Sequence, residues 1–362
     1  MGNTKVLAIH LPAFHRIPEN DEWWGEGFTE WDNVKSGKKY YNNHYQPVVP
    51  LNNNYYDLSN INDIKYQFDL ANKYDIYGFI FYHYWFGNGE MIFEKPVELI
   101  LNDNAIQGHY CFCWANESWM ATWHGQNNRV LKEQKYPGKN DWEAHFMYLL
   151  KFFKDERYIK EDNKPMLYIY KPCEIPDYNE MLEYFNNRLI DEGFSGIYVV
   201  EYISSKNKLE SGSPYAKAVM EFEPLYTTFF DISKLNLFKR LVCKKLNLID
   251  YQSYDKLWKY KLKRTRTYNG KIIQKSCFVA WDNSSRKGKN SMIVKNSSPE
   301  KFKKYLTQLI NTKRVDSLND YLVINAWNEW SEGAYLEPDN RYYYSYLEAI
   351  KSSLENNNED CL

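Results

Sequence analysis

The sequence predicts an α/β protein, a (β/α)8 or TIM barrel with long loops after its strands and a basic helical insertion. Eight apolar runs rich in β-branched and aromatic residues recur along the chain, as expected of parallel strands covered on both faces. Segments with helical periodicity lie between many of them. This repeated alternation is typical of the barrel, and the alternative is an open, doubly wound sheet. The runs are 5–11, 77–85, 109–116, 166–171, 197–202, 216–224, 276–283 and 321–329.

The intervening segments carry recognisable helix signals. Ile61, Ile64 and Phe68 recur at helical spacing, so they lie on one face of a predicted helix. Ser298 followed by Pro299 is typical of an N-cap and a first helical position. We therefore expect helices to cover the outside of the sheet.

Two segments are longer than ordinary loops. Residues 12–60 form an aromatic and polar connection, and their tryptophans argue against disorder. A second segment spans about residues 230–275, and its part 234–275 holds thirteen Lys or Arg against two Asp. We interpret residues 1–355 as one catalytic domain and 356–362 as a polar tail.

The basic segment has two interpretations. Its lysines and arginines either form a solvated helix face or make a peripheral contact with an anionic membrane or a lipid-linked glycan. The chain as a whole is balanced, with a formal net charge of −1, so nothing indicates nucleic acid as a partner. No run of eighteen apolar residues and no signal segment is present, so we expect no transmembrane segment and a cytoplasmic protein.

Aromatic residues make up 18% of the chain, which suits half-wet clefts for sugars. In a barrel of this kind the chemistry lies at the carboxyl ends of the strands. Only His83 and His124 lie near enough to each other to join a metal site, and no glycine-rich phosphate loop occurs, so we predict neither a metal nor another cofactor. The strand ends offer mainly acids: His83, Trp85, Asn116, Glu117, Lys171, Glu201, Glu221, Glu223, Asp282, Glu329 and Glu332.

Two of these acids stand three positions apart in "WNEWSEG", residues 327–333. Paired carboxyls among aromatic rings suit glycoside chemistry, in which one carboxylic acid protonates the departing oxygen and the other acts as nucleophile or base. The tryptophan beside Glu329 removes water and raises its pKa, and the different neighbours of Glu332 push the two pKa values apart. The alternative is a pair of salt-bridged structural acids.

Several longer segments resemble a known family of bacterial surface-polysaccharide gene clusters. The family is that of WbsX-type glycosyltransferases, which are also described as glycoside hydrolase family 99-like proteins. The resemblance covers nearly the whole chain and departs at Ala13, where glutamine is expected, and in the basic insertion. The segments that carry it are "LPAFHRIPENDEWWGEGFTEWDNV" (11–34), "HYQPVVPLNNNYYDL" (44–58), "GFIFYHYWF" (78–86), "CWANESW" (113–119), "WDN" (281–283) and "NAWNEWSEGAYLEPD" (325–339).

The resemblance implies a barrel similar to that of endo-acting, retaining α-mannosidases. In those enzymes the "NEWxEG" segment supplies both catalytic acids, which correspond to Glu329 and Glu332 here. Glu329 would act as a base on the 2-hydroxyl of the sugar, which attacks its own anomeric carbon to give a 1,2-anhydro intermediate. Glu332 would protonate the leaving oxygen and then activate water. The two targets are neighbouring atoms, so one turn of chain can serve both.

Aromatic and polar residues near the strand ends are candidate sugar contacts. Trp23, Trp31, Tyr84 and Trp119 belong to the wider aromatic set, for which ordinary packing is the alternative. A pairing of Glu117 with Glu329 is a second possible catalytic arrangement. We predict substrate binding by Trp24, Tyr82, His83, Trp85, Trp114, Asn116, Glu117, Trp123, Asp282 and Asn328.

The sequence therefore predicts an enzyme that acts with retention on α-linked, mannose- or rhamnose-like units of an oligo- or polysaccharide. The first alternative is a glycosyltransferase of O-antigen, lipopolysaccharide or capsule biosynthesis, although no D-x-D motif is present. The second is a non-catalytic glycan-binding protein, which would have no use for Glu329 and Glu332.

Overall fold

A computed structural model describes residues 4–121, 129–204, 211–312 and 320–359, with side chains up to residue 355. Eight parallel strands close into a barrel, in which every strand pairs with the next and the last pairs with the first. The closure confirms the predicted (β/α)8 barrel and excludes the open sheet. The strands are β1 Lys5–His10, β2 Ile76–Trp85, β3 His109–Trp114, β4 Lys164–Ile169, β5 Tyr198–Ile203, β6 Ala216–Glu221, β7 Ile272–Phe278 and β8 Tyr321–Asn325.

Each of the eight predicted apolar runs overlaps one of these strands. The largest shift concerns β7, which begins four residues before the run 276–283, at Ile272. The polar end of that run instead leads into a loop at the carboxyl side of the barrel. The core inside the barrel is aromatic and polar in part, since the hydroxyl of Tyr168 on β4 donates to Gln274 on β7 at 2.6 Å.

Helices surround the barrel and occupy the long connections. Helix α11 begins as the sequence predicts, since Ser298 accepts the backbone N–H of Lys301. At the start of α3, the side chain of Asn60 accepts the backbone N–H of Asn62. The helices are α1 Pro18–Trp24, α2 Glu30–Lys35, α3 Ile61–Lys73, α4 Lys95–Asn102, α5 Lys139–Phe153, α6 Tyr178–Asp191, α7 Leu225–Phe230, α8 Lys234–Lys245, α9 Tyr254–Leu262, α10 Ser284–Lys287, α11 Pro299–Asn311 and α12 Ser345–Glu359.

Short elements complete the described chain. Helix α12 runs past residue 355 and includes the first residues of the predicted tail. The 3-10 turns are Leu51–Asn53, Pro172–Glu174, Gly288–Asn290 and Trp330–Glu332. The short strands are Met91–Ile92, Trp119–Ala121, Arg129–Lys132, Lys160–Glu161, Asp250–Ser253, Met292–Lys295, Asn328–Glu329 and Ala334–Tyr335.

The two long connections are folded segments. Residues 12–60 contain α1 and α2, and Trp31 of α2 packs on Trp330 while its indole N–H donates to the carbonyl of Tyr56 at 2.8 Å. The basic segment between β6 and β7 contains α8 and α9, as predicted, and its strand Asp250–Ser253 pairs with Met292–Lys295. The first connection brings α2 beneath the turn that carries the predicted acid pair.

Candidate active site

The two predicted catalytic acids lie directly after β8. Glu329 ends a short strand and Glu332 ends the 3-10 turn that follows. The next residue, Gly333, has a φ of +60°, and a Cβ at this position would lie 2.8 Å from the backbone nitrogen of Asp282. Glycine is therefore required for the turn to fit against the loop after β7. The side chain of Glu329 is 8% exposed and that of Glu332 is 20% exposed.

One guanidinium group holds the two acids and a third carboxylate together. Arg286 of α10 lies 3.1 Å from Glu332 and 3.8 Å from Glu329. It also donates to Glu30 at the start of α2, at 2.9 Å from Nε. Glu30 additionally accepts hydrogen bonds from Asn33 and from the hydroxyl of Ser331. Three carboxylates thus share one arginine.

The single positive charge of Arg286 does not balance the three carboxylates, and this affects the pKa of Glu329. Burial, followed by the nearby charge of Glu332, raises the pKa of Glu329 to about 8, and the opposing effect of Arg286 is smaller. Glu329 therefore carries a proton at neutral pH in the free protein. The direction agrees with the expectation from its tryptophan neighbours, and the electrostatic cause is the paired acid.

Tyrosine rings from two other strands face these acids. Burial and then the charge of Glu329 raise the pKa values of Tyr82 and Tyr84, both on β2. Tyr170, which follows β4, has its pKa raised by burial and by the charges of Glu117 and Glu332. Of these, Tyr82 was predicted as a sugar contact. The rings and the acids therefore belong to one site at the carboxyl end of the barrel.

The predicted contacts on the opposite face of β2 are not part of this site. Side chains alternate along a strand, so His83 and Trp85 point outward, to α5. The ring nitrogens of His83 and His145 lie 2.9 Å apart, and Trp85 stacks on His145 with ring centroids 4.6 Å apart. Trp114 is also buried, and its indole donates to the carbonyl of Trp85 at 3.0 Å. Substrate binding by these three residues is corrected to packing between the barrel and α5.

Two predicted asparagines are used to hold the backbone. Asn116 is fully buried and bonds both the N–H and the carbonyl of Lys171, each at 2.8 Å. Asn328 does the same for Leu11, at 2.7 and 3.0 Å. Both amides join the ends of neighbouring strands. Their predicted role in substrate binding is therefore corrected to a structural one.

The remaining predicted contacts have different positions. Glu117 is partly exposed near the tyrosines and forms an ion pair with Lys171 at 2.7 Å. Asp282 accepts hydrogen bonds from His44 and Gln46; burial raises its pKa, but these bonds outweigh burial and lower it. Trp24 is half-buried against Phe28 at the end of α1. Trp123 and His124 lie outside the described residues.

Other acids at the strand ends are paired with cations of the basic insertion. Glu201 lies 3.2 Å from Lys271. Glu221 and Glu223 lie 2.5 and 2.8 Å from Arg264. These acids support the insertion and are removed from the set of catalytic candidates.

The reasoning from sequence did not identify Glu30, Arg286 or Tyr170 as site residues. Glu30 lies inside the segment 11–34 that carries the family resemblance, and Arg286 follows "WDN" by three positions. Two neighbouring acids after β8 need a nearby cation to balance their charge, and Arg286 is the first lysine or arginine after β7. This need for a cation is the observation from which Arg286 could have been predicted.

Solved structures share this fold. The endo-α-mannosidase of glycoside hydrolase family 99 from Bacteroides thetaiotaomicron, in complex with BIS-TRIS-propane, aligns with a TM-score of 0.58 and 12% identity over 98% of this chain and 97% of that chain. A glycoside hydrolase-like protein aligns with a TM-score of 0.60 and 14% identity over 98% and 94% of the two chains. At these identities the likeness establishes the barrel fold.

Sequence relatives establish the family. Proteins named "Uncharacterized protein WxcX", from two strains of Xanthomonas campestris pv. campestris, are 30% identical over 353 residues, which is 96% of this chain and 49% of each relative. The chain thus spans about half the length of these relatives. The family model described as "Glycosyltransferase WbsX" matches residues 6–350, a range that includes Glu30, Arg286, Glu329 and Glu332. The chain belongs to the WbsX glycosyltransferase family.

Proposed function

We propose that this protein is a carbohydrate-active enzyme that acts with retention on α-linked glycans, with Glu329 and Glu332 as its acid/base pair. The observation that carries the proposal is the cluster of three carboxylates around one arginine. Burial, and then the charge of Glu332, raise the pKa of Glu329 in this cluster to about 8. A buried group with a pKa moved toward the working pH is typical of acid/base catalysis. The tyrosines around it supply flat, half-polar walls that suit a sugar ring.

The proposed reaction uses the substrate's own hydroxyl as nucleophile. Glu329 takes the proton of the 2-hydroxyl, and the resulting oxygen attacks the anomeric carbon to form a 1,2-anhydro sugar. The bond to the leaving oxygen breaks as Glu332 donates its proton to that oxygen. Glu332 then takes a proton from water or from an acceptor hydroxyl, which opens the anhydro ring, and Glu329 returns its proton to O2.

The raised pKa of Glu329 suits the base role in this scheme. A hydroxyl is a weak acid, so a carboxylate with a higher pKa removes its proton more readily. Near pH 8 about half of Glu329 is ionised and able to act. The free protein at neutral pH holds one proton on Glu329, and the reaction requires that proton to be on Glu332, so we expect activity to decline above about pH 8, where the pair loses it.

The same chemistry restricts the substrate. The 2-hydroxyl can attack the anomeric carbon only from the side opposite the leaving group, which requires O1 and O2 to be trans. α-Mannosides and α-rhamnosides meet this condition, whereas α-glucosides do not. We therefore propose manno-configured, α-linked units of a surface polysaccharide as substrates.

Transfer to a sugar acceptor is the second candidate function, and a basic cavity supports it. A cavity of about 370 Å³ adjoins the site and is lined by Lys38, Lys287 and Lys289 together with Ser284 and Ser285. Ser285 immediately precedes Arg286 and its hydroxyl donates to the carbonyl of Ser331 at 2.9 Å. The hydroxyl proton of Ser285 is thereby used, so the lysines and the hydroxyl of Ser284 are the groups that can donate to phosphate oxygens. The cavity therefore suits the diphosphate of an activated sugar donor.

Product analysis on the purified protein tests both candidates. We expect α-mannosyl or α-rhamnosyl oligosaccharides to be cleaved without nucleotide and to release α-configured reducing ends. NMR spectra recorded immediately after bond cleavage measure this configuration. Turnover that requires a nucleotide sugar would favour the transferase. In that case the Lys38→Ala/Lys289→Ala variant should show a higher KM for the nucleotide sugar. Glycan binding without turnover under either condition would overturn the enzymatic proposal.

A further inference from the structure

Helix α8 and the turn after it expose an unusual amount of apolar surface. Six of the eleven large apolar side chains that are exposed in the described part of the chain lie in the short stretch from Phe229 to Leu248. Leu235, Phe238 and Leu241 are 77%, 65% and 59% exposed. Single exposed apolar residues are ordinary, but a contiguous group of them marks an interaction surface. Five of the six, Leu235, Phe238, Leu241, Leu246 and Leu248, are here called the α8 face. The sixth, Phe229, belongs to α7 and lies against Arg240.

The orientation of α8 is determined by its other side. Arg240 forms an ion pair with Asp250 at 2.7 Å and packs over the ring of Phe229 at 4.4 Å. Cys243, one turn later, is buried. Leu235, Phe238 and Leu241 follow one another at a spacing of three, so they form one stripe on the outward side. The helix is thus attached through its polar side and presents its apolar side to solvent, the reverse of the usual arrangement.

Positive charge borders this stripe. Lys234, Lys239, Lys244 and Lys245 are exposed on the same helix, which contains no acidic residue. The two aspartates of residues 234–275 are engaged elsewhere, since Asp250 pairs with Arg240 and Asp255 with Lys301 at 2.7 Å.

The buried cations of the insertion do not add to this surface. Lys261, Arg264 and Lys271 pair with the acids at the ends of β5 and β6. The structure therefore divides the basic segment into an inner, neutralised part and an outer part in which lysines flank apolar side chains. The second part is the one that remains available to a partner.

We propose that the α8 face docks on an anionic lipid bilayer. Leu235, Phe238 and Leu241 would enter the boundary between headgroups and acyl chains, while the lysines contact the anionic headgroups. A lysine-flanked apolar stripe without any acid is complementary to such a surface in both polarity and charge. Among the described residues, no helix combines the length and the apolar character needed to cross a bilayer.

The position of the α8 face relative to the active site indicates why docking would matter. Asn247, in the turn after α8, lines the same basic cavity as Ser284 and Ser285, which precede Arg286. Docking would bring the carboxyl end of the barrel to a glycan carried on the lipid surface. This last step rests on the proposed function, whereas the docking itself does not.

Vesicle sedimentation tests the docking. We expect the protein to sediment with vesicles of phosphatidylcholine and phosphatidylglycerol but not with phosphatidylcholine alone, and to be released by salt. Leu235→Ser/Phe238→Ser/Leu241→Ser should weaken binding at least tenfold, and each Lys→Ala change at 234, 239, 244 or 245 about fivefold. The matched control, Val130→Ser/Met147→Ser/Ile190→Ser, removes exposed apolar side chains elsewhere and should bind like the wild type.

Several results would overturn this proposal. They are failure of the wild type to bind anionic vesicles, equal binding to neutral vesicles, equal binding by the α8 variant, and self-association through α8 in place of vesicle binding. Activity separates the two proposals. The α8 variant should cleave a water-soluble oligosaccharide at the wild-type rate and lose rate only on the same glycan anchored to vesicles, and an inactive wild type leaves the binding result unaffected.

Discussion

Glu223 and Glu329 are both buried acids beyond the ends of barrel strands, yet their electrostatic situations are opposite. Arg264 and Lys261 lie 2.8 and 3.5 Å from Glu223 and outweigh the effect of burial, so its pKa is lowered. Arg264 also contacts Glu221 and Asp231, but Lys261 adds a second cation there. Around Glu329, burial and the charge of Glu332 outweigh the effect of Arg286 and raise its pKa to about 8. Burial alone therefore does not decide the direction in which the pKa of a carboxyl moves. The local balance of charge does.

The two kinds of buried acid also affect the free energy of unfolding in different ways. Removing one partner from a buried ion pair leaves an uncompensated charge and strongly destabilises the fold. An acid that lacks a full partner instead lowers stability as it ionises, since its proton is held more tightly in the folded chain than in the unfolded one. A feature that reduces stability in this way is typical of functional sites.

The largest effect is expected from Glu332→Gln. The change keeps the shape of the side chain but removes the proton donor, so kcat/KM on an α-linked glycan should fall by about 10²–10⁴-fold while glycan binding persists. Steady-state kinetics and calorimetric binding measure the two quantities. Near-wild-type rates would remove Glu332 from the catalytic assignment.

Glu223→Gln should show the reverse pattern. It leaves the buried Lys261 without its acid, so the free energy of unfolding should decrease by about 3–5 kcal/mol, measured by denaturant titration. The lowered pKa of Glu223 contributes stability that is lost as pH falls, so the difference from the wild type should shrink in acid. The folded fraction should retain the wild-type kcat. A variant that folds normally but is inactive would contradict the division between the two groups of acids.

The pH dependence of kcat/KM tests the state of Glu329. The reaction needs Glu329 ionised and one proton on Glu332, so the rate should fall about tenfold per pH unit above about pH 8, where the pair loses its last proton. A rate that stays constant or rises as the pH increases through about 8 would show that the pair does not have to retain a proton, which contradicts the acid role of Glu332.

Arg286→Gln tests whether the arginine sets the pKa of Glu329. The positive charge of Arg286 lowers the pKa of Glu329, so its loss should move the midpoint of the pH profile upward by about one unit. Arg188→Gln is a suitable control, since it removes a surface partner of Glu143 on the outer helices. An unchanged midpoint in Arg286→Gln would show that the guanidinium does not set the pKa of Glu329.

The smallest effect concerns the two faces of β2. Tyr82→Phe removes a hydroxyl that faces Glu329 and should lower kcat/KM by less than tenfold at unchanged melting temperature. His83→Gln disturbs the packing against His145 and should lower the melting temperature without changing kcat/KM. If the two substitutions exchanged these effects, the assignment of the inner and outer faces would be wrong.

The position of the candidate site was easier to predict from the sequence than its lining. The pair Glu329 and Glu332 could be found because two acids after an apolar run are conspicuous. His83 and Trp85 were assigned to the site with Tyr82 because both faces of a strand in a covered barrel are apolar, so composition does not separate them. The amides of Asn116 and Asn328 were assigned to sugars because their backbone partners lie at residues distant in sequence.

The amino-acid sequence by itself determined the eight strands, the helical periodicity between them, the basic insertion and the acids after β8, because these depend on local patterns of polarity. Only the tertiary structure decided which face of β2 meets the acids, which acids are neutralised, and that Arg286 from α10 joins Glu30 from α2 to Glu332. Those outcomes depend on barrel closure, which brings together residues up to about three hundred positions apart. Charge balance at a site is a property of that assembly and cannot be read from neighbours in the chain.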